Sequence, residues 1–352
     1  MIPWTAGSFL FAVAASLLLT PLVVRQLKAS RVIDVPNRRS SHRTPVPRGG
    51  GIGILCPLLA GVAGLFLAGQ LSDPGYLAAL TIGTLVLGAV GFLDDVYSLP
   101  ATWRLLIQIF LAAVCLRLSG LYLNELTTPG LGVWMTGPLA PVLAAIFVVG
   151  FANMYNFMDG INGLAGCQAL IGAGGLAVLG VMQGDPVLAY PMALLAGGAV
   201  GFLKDNFPAG KVFMGDVGSL PIGFLLAMGV LRAAGGATGA DGLPFWLPMM
   251  FIWPFLFDAT YTLVNRAVRG RNPFRAHRSH LYQRLLIAGW THVRVTLIHA
   301  DAMLLCAAGV FVCLNRGLDS TGTLLFFWGA ASLSLIWALI IASRIRATRT
   351  ES

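Results

Sequence analysis

The sequence predicts an all-α polytopic integral membrane protein with about eleven transmembrane helices, an outside N-terminus and a cytoplasmic C-terminus. Its 352 residues are 57% hydrophobic and only 11% charged, whereas soluble domains carry about 25% charged residues. Apolar runs of about 20 residues, the length of helix that crosses a bilayer, recur throughout the chain. The Lys and Arg residues are concentrated in alternate connecting segments, which predicts the orientation.

Each predicted span is an apolar run bounded by polar or turn-forming residues. The spans are Phe9–Val24, Gly50–Ala68, Tyr76–Leu93, Trp103–Leu118, Pro138–Ala152, Leu164–Met182, Val187–Leu203, Val217–Leu231, Pro244–Val264, Val293–Leu314 and Thr323–Ser343. The first run lacks a basic n-region and an A-x-A-like cleavage site, so we expect a retained helix rather than a removed signal. We expect one membrane-embedded domain over residues 1–352, with a basic, histidine-containing cytoplasmic loop at residues 265–292.

The distribution of positive charge supports this topology. With a cytoplasmic C-terminus, only Arg117, Arg232 and Arg316 of the 23 Lys and Arg residues lie outside, which is the positive-inside pattern. The formal charge of +9 is then explained by topology and anionic lipid, so we expect membrane lipid and no nucleic acid as a partner. The five cysteines lie in apolar runs without metal-ligand spacing, which favours buried thiols over disulfides or a zinc site.

The acidic residues separate into two groups under this topology. Those predicted inside lie beside span ends in Gly- or Asn-rich sequence: Asp94, Asp95, Asp159, Asp205 and Asp216. Those predicted outside each lie in a short loop without companions: Asp73, Glu125, Asp185, Asp241 and Asp319. The outer loops are therefore predicted connectors, and the longest, Ser119–Gly137, has the length of a small hairpin. We expect the chemistry on the inner face.

The first inner segment, Asp34 to Gly51, combines prolines and glycines with strong positive charge. Its arginines are Arg38, Arg39, Arg43 and Arg48. The run Gly49-Gly50-Gly51 allows backbone N–H groups to approach an anionic ligand at a helix start. A basic topogenic loop followed by a glycine helix start explains the same residues, and on this segment alone that explanation is favoured.

Asp94 and Asp95 stand together at the inner end of the third span. Adjacent carboxylates repel each other, so a bound cation or a nearby arginine must offset them. Hard oxygen ligands of this type suit Mg²⁺, and a solvated helix end is the alternative for one such pair. Arg104 begins the next span, where it can bind phosphate bidentately or act only as a positive-inside anchor.

The central polar island, Asn153–Leu164, lies between two long apolar spans. Asn156 and Asp159 are three residues apart and share one face of a helical turn. The D-G and N-G pairs that follow break the helix and expose amide groups, including that of Asn162, that can recognise a base or a sugar. An ordinary turn is the alternative, but the density of Asn and Asp side chains favours a site.

Two further inner segments are polar. In Lys204–Ser219, Asp216 precedes an apolar span, and Phe213 can stack on a base. The segment Arg269–Leu286 has no acid but five arginines, among them Arg275, and two histidines three residues apart. No Cys or acid completes a zinc set, so a clamp for a diphosphate is favoured. A basic segment attracted to anionic lipid explains the arginines but not the histidines.

Taken in order, these segments resemble the polyprenyl-phosphate N-acetylhexosamine-1-phosphate transferases of the bacterial glycosyltransferase family 4. The resemblance covers nearly the whole chain. The motifs that carry the resemblance are F-L-D-D-V, N-x-x-N-x-x-D-G-x-N-G-L, F-M-G-D-V-G-S and the late basic loop with A-H-R-S-H-L-Y-Q-R-L. The resemblance implies a helical protein of ten or eleven spans, often a homodimer, with a cytoplasmic site. It also implies transfer of a sugar-1-phosphate from a UDP-sugar to undecaprenyl or dolichyl phosphate, with Mg²⁺ and release of UMP; Mn²⁺ is the expected substitute.

The resemblance further implies roles for single residues. Asp216 and Asn156 would hold Mg²⁺ with the diphosphate, Asp94 would be the base, and Asp95 would be its catalytic neighbour near the metal. Arg104, where the family usually has Lys, would bind phosphate. Phosphate would also be bound by the residues of a motif that has three histidines in the family and reads H-R-S-H here, namely His277, Arg278 and His280. The residues that would bind the nucleotide are Asp159, Gly160, Asn162 and Phe213.

Details of the first and last inner loops resemble bacterial enzymes that start O-antigen or related surface glycans at the inner membrane, in lipopolysaccharide and cell-wall biogenesis. The sugar stays open among UDP-GlcNAc, UDP-GalNAc and 6-deoxy relatives such as UDP-FucNAc and UDP-QuiNAc. One alternative is the phospho-N-acetylmuramoyl-pentapeptide transferase of peptidoglycan synthesis. A different class, a secondary transporter, would place acids at mid-membrane, where only Asp258 and Asp301 are candidates. A CDP-alcohol phosphotransferase would need further acids after Gly160.

Overall fold

The computed structural model describes residues 1–36, 44–128, 132–235, 243–272, 277–317 and 320–350, and these are mostly helical. The elements are α1 (Ile2–Ala29), β1 (Ile33–Asp34), β2 (Val46–Pro47), α2 (Ile52–Leu67), α3 (Pro74–Tyr97), α4 (Ala101–Ser119), β3 (Glu125–Thr128), β4 (Gly132–Met135), α5 (Ala140–Met158), α6 (Leu164–Met182), α7 (Pro186–Asn206), α8 (Asp216–Ala233), α9 (Trp246–Met249), α10 (Trp253–Val268), α11 (Leu281–Ile287), α12 (His292–Asn315) and α13 (Ser320–Thr350). Short 3₁₀ turns precede α5 and join α9 to α10.

The predicted fold class is confirmed. Within the described ranges, nine helical segments are long and apolar enough to cross a membrane, and Ile52–Leu67 and Leu325–Ile341 are shorter apolar helices. The side of the membrane that each terminus faces stays a prediction. Several residues named above lie outside the described ranges: Arg38, Arg39, Arg43, Asp241, Arg275 and Asp319.

All eleven predicted spans coincide with helices, but the ninth is interrupted. Instead of one helix over Pro244–Val264, the chain forms α9, a 3₁₀ turn and then α10. Pro254 lies in the first turn of α10, where a proline fits because it has no N–H to leave unpaired and where it prevents the preceding helix from continuing.

The helix α8 is the centre of the bundle, since all of its residues are buried. It packs against α3, α5 and α6. Two neighbours approach its first turn closely because they are glycines: a Cβ on Gly91 of α3 would lie 2.2 Å from the Asp216 carbonyl oxygen, and one on Gly51 would lie 2.3 Å from the Cα of Gly218. Small residues allow such backbone contact between membrane helices. Gly51 and Gly91 therefore allow the start of α2 and the last turns of α3 to lie against the start of α8.

The connecting loops agree with their predicted form. The segment between α4 and α5 contains the predicted hairpin, with β3 antiparallel to β4 and Glu125 opposite Met135. The first inner segment is non-helical in its described parts, where β1 pairs with β2 and Ile33 lies opposite Pro47.

The cysteines are free thiols, as predicted, but one is not buried. Cys115 and Cys313 are buried, and Cys167 and Cys306 are half-buried. Cys56 is exposed on α2, so the expectation of burial is wrong for this residue.

The expectation that the outer acids lack companions is wrong for Asp73 and Asp185. Both pair with Arg232, whose Nη1 lies 2.8 Å from Asp73 Oδ2 and whose Nε lies 2.5 Å from Asp185 Oδ2. The guanidinium carbon is also 4.5 Å from the centre of the Tyr76 ring. These four residues form the Arg232 cluster. It lies where α3 and α7 begin and α8 ends, at the opposite end of α3 from Asp94 and Asp95.

Candidate active site

Asp95, in the last turn of α3, caps the start of α8 from a neighbouring helix. Its Oδ1 accepts the Asp216 N–H at 3.0 Å, and its Oδ2 accepts the Val217 N–H at 3.1 Å. These are N–H groups of a first helical turn, which have no partner within their own helix. The Asp95 side chain has no exposed surface. Its contacts therefore fix the position of Asp216 relative to α3.

Two guanidinium groups flank the Asp216 carboxylate. Arg48 places Nη2 at 2.5 Å from Asp216 Oδ1 and Nε at 2.7 Å from Asp95 Oδ1. Arg104 Nη1 lies 3.4 Å from Asp216 Oδ2 and also donates to Asp94 Oδ2. The structure thus brings together the acid pair of α3, the acid of α8, the arginine at the start of α4 and Arg48. We call these five residues the acidic cluster.

Arg48 is held in the cluster by a backbone bridge to the segment before α8. The Phe213 N–H donates to the Pro47 carbonyl at 2.9 Å, and Arg48 and Phe213 pair as neighbouring strands do. Burial lowers the pKa of Arg48, but the nearby carboxylates of Asp216 and Asp95 outweigh it and raise that pKa above its ordinary value. The guanidinium therefore remains charged.

The glycine run after Arg48 is used for packing. The N–H groups of Gly49 and Gly50 donate to the Phe213 carbonyl, and that of Gly51 donates to the Met214 carbonyl. Since these donors are occupied by the protein backbone, the geometry agrees with the explanation that the glycines start a helix. It does not offer them to an anion.

Asn156, in the last turn of α5, faces the first turn of α8. Its Nδ2 donates to Ser219 Oγ at 2.8 Å, and its side chain lies close enough to stabilise the Asp216 carboxylate. The predicted pair Asn156 and Asp216 is therefore adjacent in the fold, although 60 residues separate the two positions in sequence (216 minus 156).

Asp159, the residue that ends α5, is half-buried and carries an unfavourable charge. Burial raises its pKa to about 7; repulsion from Asp216 and Asp95 adds to this, and Arg48 opposes it. Among the described residues, no hydrogen bond is made to its carboxylate. A helix C-terminus also disfavours negative charge, so the charged form of Asp159 stays disfavoured although Arg48 stabilises it in part.

The turn after α5 and the segment before α8 are joined into one unit by asparagines. Asn206 Oδ1 accepts the Gly163 N–H at 2.7 Å, and Asn206 Nδ2 donates to the Val212 carbonyl at 2.8 Å. Asn162 Nδ2 donates to the Pro208 carbonyl at 3.0 Å. Both segments that contain predicted nucleotide-binding residues therefore form one surface beside the acidic cluster.

The basic, histidine-containing segment is anchored to α10. His280 Nδ1 lies 3.2 Å from Asp258 Oδ1, and His280 is only 2% exposed. His277 and Arg278 are half-buried. The three residues predicted to share one ligand are thus placed differently, because His280 faces the interior.

Tyr282 joins this segment to the central island. Its hydroxyl donates to the Phe157 carbonyl at 3.2 Å, and a Cβ on Gly160 would lie 2.0 Å from the same hydroxyl oxygen. Burial has the largest effect on the pKa of Tyr282 and raises it, and the negative charges of Asp258 and Asp159 raise it further. The basic segment therefore lies against the end of α5, next to Asp159.

The donor set suits a hard cation that shares its coordination with a ligand. Across the described parts of the chain, no group of three or more His, Cys, Asp or Glu side chains could hold a metal ion. Asp216 and Asn156 supply one carboxylate and one amide oxygen. Mg²⁺ is commonly bound by one or two carboxylates together with substrate phosphates and water, so these residues fit a magnesium ion carried with a phosphate ligand.

Two residues of this region were not selected from the sequence. Arg48 was one of several arginines in a basic loop, and only the docking of the loop onto Phe213 distinguishes it. Asp258 was considered only for a transporter, yet an acid inside a span is itself a signal of function. Its partner His280 lies 22 residues further along the chain, and a single sequence gives no sign of that pairing.

Comparisons with known proteins agree with the motif pattern. A family model described as glycosyl transferase family 4 matches residues 77–234, which include Asp94, Asn156 and Asp216. A probable undecaprenyl-phosphate N-acetylglucosaminyl 1-phosphate transferase of Bacillus subtilis (strain 168) is 28% identical over 296 residues, covering 83% of this chain and 80% of that relative.

Two further relatives are more similar in identity. A decaprenyl-phosphate N-acetylglucosaminephosphotransferase of Mycobacterium tuberculosis (strain ATCC 25618 / H37Rv) is 35% identical over 305 residues, covering 78% of this chain and 74% of the relative. A phospho-N-acetylmuramoyl-pentapeptide-transferase of Synechococcus sp. (strain JA-3-3Ab) is 34% identical over 312 residues, covering 83% of this chain and 87% of the relative.

Proposed function

The chain belongs to glycosyl transferase family 4, and on that premise we propose that it transfers N-acetylglucosamine-1-phosphate, or a 6-deoxy relative, from a UDP-sugar to undecaprenyl phosphate and releases UMP. The observation that carries the proposal is the convergence of Asp94, Asp216, Arg48 and Arg104 where α3 meets α8, with Asn156 beside them. The names of the Bacillus and Mycobacterium relatives support the sugar and the polyprenyl acceptor.

In the proposed reaction, an oxygen of the acceptor phosphate forms a bond to the β-phosphorus of the UDP-sugar. The bond from that phosphorus to the oxygen bridging the α- and β-phosphates breaks, and the bridging oxygen leaves with UMP. A phosphate monoester with a second pKa near 6 is largely dianionic at neutral pH, so no proton has to be removed from the attacking oxygen. The protein then contributes mainly positioning and charge neutralisation.

Residues of the acidic cluster divide these tasks. Arg48 and Arg104, which pair with the carboxylates of the cluster, would bind phosphate oxygens. Asp216 and Asn156 would hold Mg²⁺, or Mn²⁺ in its place, and the bound ion would neutralise phosphate charge. Asp94, which accepts the Leu99 N–H at 2.7 Å as well as Arg104, would position Arg104.

The neighbouring surfaces supply the donor-binding residues. The residues that we propose for the nucleotide are Asp159, Gly160, Asn162 and Phe213. His277 and Arg278 would cover the diphosphate, because they retain solvent access. The contact of Tyr282 with Gly160 supports this arrangement, since it joins the basic segment to the nucleotide-binding turn.

We also propose the setting in which this reaction takes place. The positive-inside pattern supports a bacterial inner membrane with the site facing the cytoplasm, and the loop motifs support the initiation of O-antigen or a related surface glycan. A homodimer is expected from the family resemblance. The similarity to the Synechococcus relative favours a second candidate, transfer of phospho-N-acetylmuramoyl-pentapeptide.

The test is release of UMP by the purified protein in detergent with undecaprenyl phosphate. UDP-GlcNAc, its 6-deoxy relatives and UDP-N-acetylmuramoyl-pentapeptide are supplied separately, with Mg²⁺, with Mn²⁺ or with EDTA. We expect metal-dependent UMP release with UDP-GlcNAc or a 6-deoxy relative and none with the pentapeptide donor. Release with the pentapeptide donor alone would favour the second candidate, and uptake into vesicles without UMP release would indicate a transporter.

A further inference from the structure

A buried carboxylate on α10, Asp258, organises the start of α11. It is 2% exposed and accepts hydrogen bonds from four donors. Its Oδ1 accepts from Thr262 Oγ1 at 3.2 Å, from His280 Nδ1 at 3.2 Å and from the Leu281 N–H at 2.9 Å, and its Oδ2 accepts from the Tyr282 N–H at 3.2 Å. A buried carboxylate is costly unless it is hydrogen-bonded, so these contacts hold the segment in one register.

His280 transmits this anchoring to the half-buried residues before it, His277 and Arg278. Its ring is held by Asp258 on one side, and its centre lies 5.0 Å from the centre of the His277 ring. His277 Nδ1 in turn lies 2.9 Å from Ser279 Oγ. Since His280 itself is buried, the imidazole that can reach a ligand is that of His277.

On the other side of His280, Tyr282 fixes the basic segment against the end of α5. The Asp258 carboxylate accepts its backbone N–H, while its hydroxyl lies against Phe157 and Gly160 at the end of α5. A single carboxylate therefore determines where the basic segment meets the nucleotide-binding turn.

Resting on the proposed function, we propose that Asp258 is a positioning residue that acts through His280 to hold His277 and Arg278 over the diphosphate of the UDP-sugar. A carboxylate needed only to cap α11 would require the two backbone N–H groups. Two further donors are side chains: Thr262 on the same helix, and the His280 imidazole, which lies three residues from a half-exposed histidine and links the cap to the ligand side of the segment. Asp258 touches no substrate in this proposal.

The test compares Asp258→Asn with a matched control, Asp185→Asn. Asp185 is also a buried carboxylate that caps a helix and pairs with a cationic side chain, but it lies in the Arg232 cluster, away from the site. We expect Asp258→Asn to lower kcat/KM for UDP-GlcNAc about 10–100-fold, by analogy with the loss of a residue that orients a metal-ligating histidine, with KM raised. Asp185→Asn is expected to lower thermal stability and leave KM unchanged.

A double-mutant cycle distinguishes positioning from general structural support. If Asp258 acts through His277, then His277→Gln costs much less in the Asp258→Asn background than in the wild type, because interacting residues are non-additive. Additive losses, or an unchanged KM in Asp258→Asn, would overturn the inference. His280→Asn serves in the same cycle if Asp258→Asn does not fold. Absence of UMP release from the wild-type protein would instead count against the proposed function.

Discussion

The helices α3 and α8 carry a cluster of carboxylates and guanidinium groups at each of their ends, and the two clusters differ in how their charges meet the helix termini. In the Arg232 cluster, Asp73 and Asp185 are the N-caps of α3 and α7, and Arg232 lies in the last turn of α8. Each charge is therefore next to the helix terminus that stabilises it. The acids also accept N–H groups of the helices that they begin.

The acidic cluster and the neighbouring Asp159 reverse this relation in part. Asp94 lies in the last turn of α3 and Asp159 ends α5, where the helix dipole disfavours negative charge. Asp216 lies at the start of α8, and Asp95, although it belongs to the last turn of α3, caps that same start. Including Asp159, four carboxylates face two guanidinium groups, Arg48 and Arg104, which gives a formal charge of 2 minus 4, or −2.

We interpret the Arg232 cluster as a region that stabilises the fold and the acidic cluster as the region whose charge serves the proposed ligand. In the Arg232 cluster, each charged side chain is stabilised by an opposite charge and by a neighbouring helix terminus, and Arg232 also contacts the Tyr76 ring. The acidic cluster keeps an excess negative charge that a divalent cation can neutralise, beside arginines that can bind phosphate. Strongly perturbed acids of this kind are frequent at functional sites.

The largest effect is expected for Asp216→Asn, which removes the central carboxylate of the acidic cluster. We expect UMP release to fall by about 1,000-fold, because preorganised charge dominates phosphoryl transfer. Asp205→Asn is the matched control, since the ion pair of Asp205 with Lys211 is loose, at 3.7 Å. Turnover by Asp216→Asn within a few-fold of the wild type would remove Asp216 from the proposed metal site.

The converse is expected for Asp185→Asn at the other end of the bundle. Breaking a buried ion pair by removing one partner costs about 3–5 kcal/mol, so the melting temperature in detergent should fall clearly. UMP release assayed well below that temperature should remain near the wild-type value. An unchanged melting temperature with lost turnover would contradict the division between the two clusters.

Replacement of Arg104 separates charge from geometry within the acidic cluster. Arg104→Ala is expected to lower kcat/KM about 10–100-fold, because a hydrogen bond to a charged group contributes about 1.5–3 kcal/mol. Arg104→Lys should recover much of that loss, since Lys keeps the positive charge that contacts phosphate. Equal losses in both variants would mean that the guanidinium geometry, rather than its charge, is required.

The smallest effect is expected for Asp159→Asn, and its sign is opposite to that of Asp185→Asn. The pKa of Asp159 is raised from 3.8 to about 7 in the folded protein, so the folded state binds this proton more tightly and wild-type stability falls as pH rises from about 4 to 7. With EDTA present, the variant should melt above the wild type at pH 8 and equal it near pH 4. In a separate assay with Mg²⁺, UMP release by the variant should be lower than that of the wild type. A lower melting temperature at both pH values would contradict the unfavourable charge of Asp159.

Features with a local signature could be predicted from the sequence. Apolar length predicts the spans, and the adjacent acids Asp94 and Asp95 predict that a cation or an arginine must lie nearby. The break of the ninth span at Pro254 was missed, although a proline in an apolar run is a local signal.

Pairings between distant segments could not be predicted. Arg232 with Asp73 and Asp185 depends on three helix ends meeting, and Asp258 with His280 depends on how a loop returns to α10. Neither relation leaves a pattern in one sequence, because the partners are separated by a whole helix or a loop and share no periodicity.

The most direct test of the proposed chemistry follows two labels from one donor. UDP-GlcNAc carrying ³²P at the β-phosphate and ³H in the sugar is incubated with the purified protein, Mg²⁺ and undecaprenyl phosphate, and the lipid product is extracted. The predicted result is a lipid that contains both labels in the ratio of the donor, with unlabelled UMP in the aqueous phase. A lipid that contains ³H without ³²P, or no labelled lipid while UDP is formed, would contradict sugar-1-phosphate transfer.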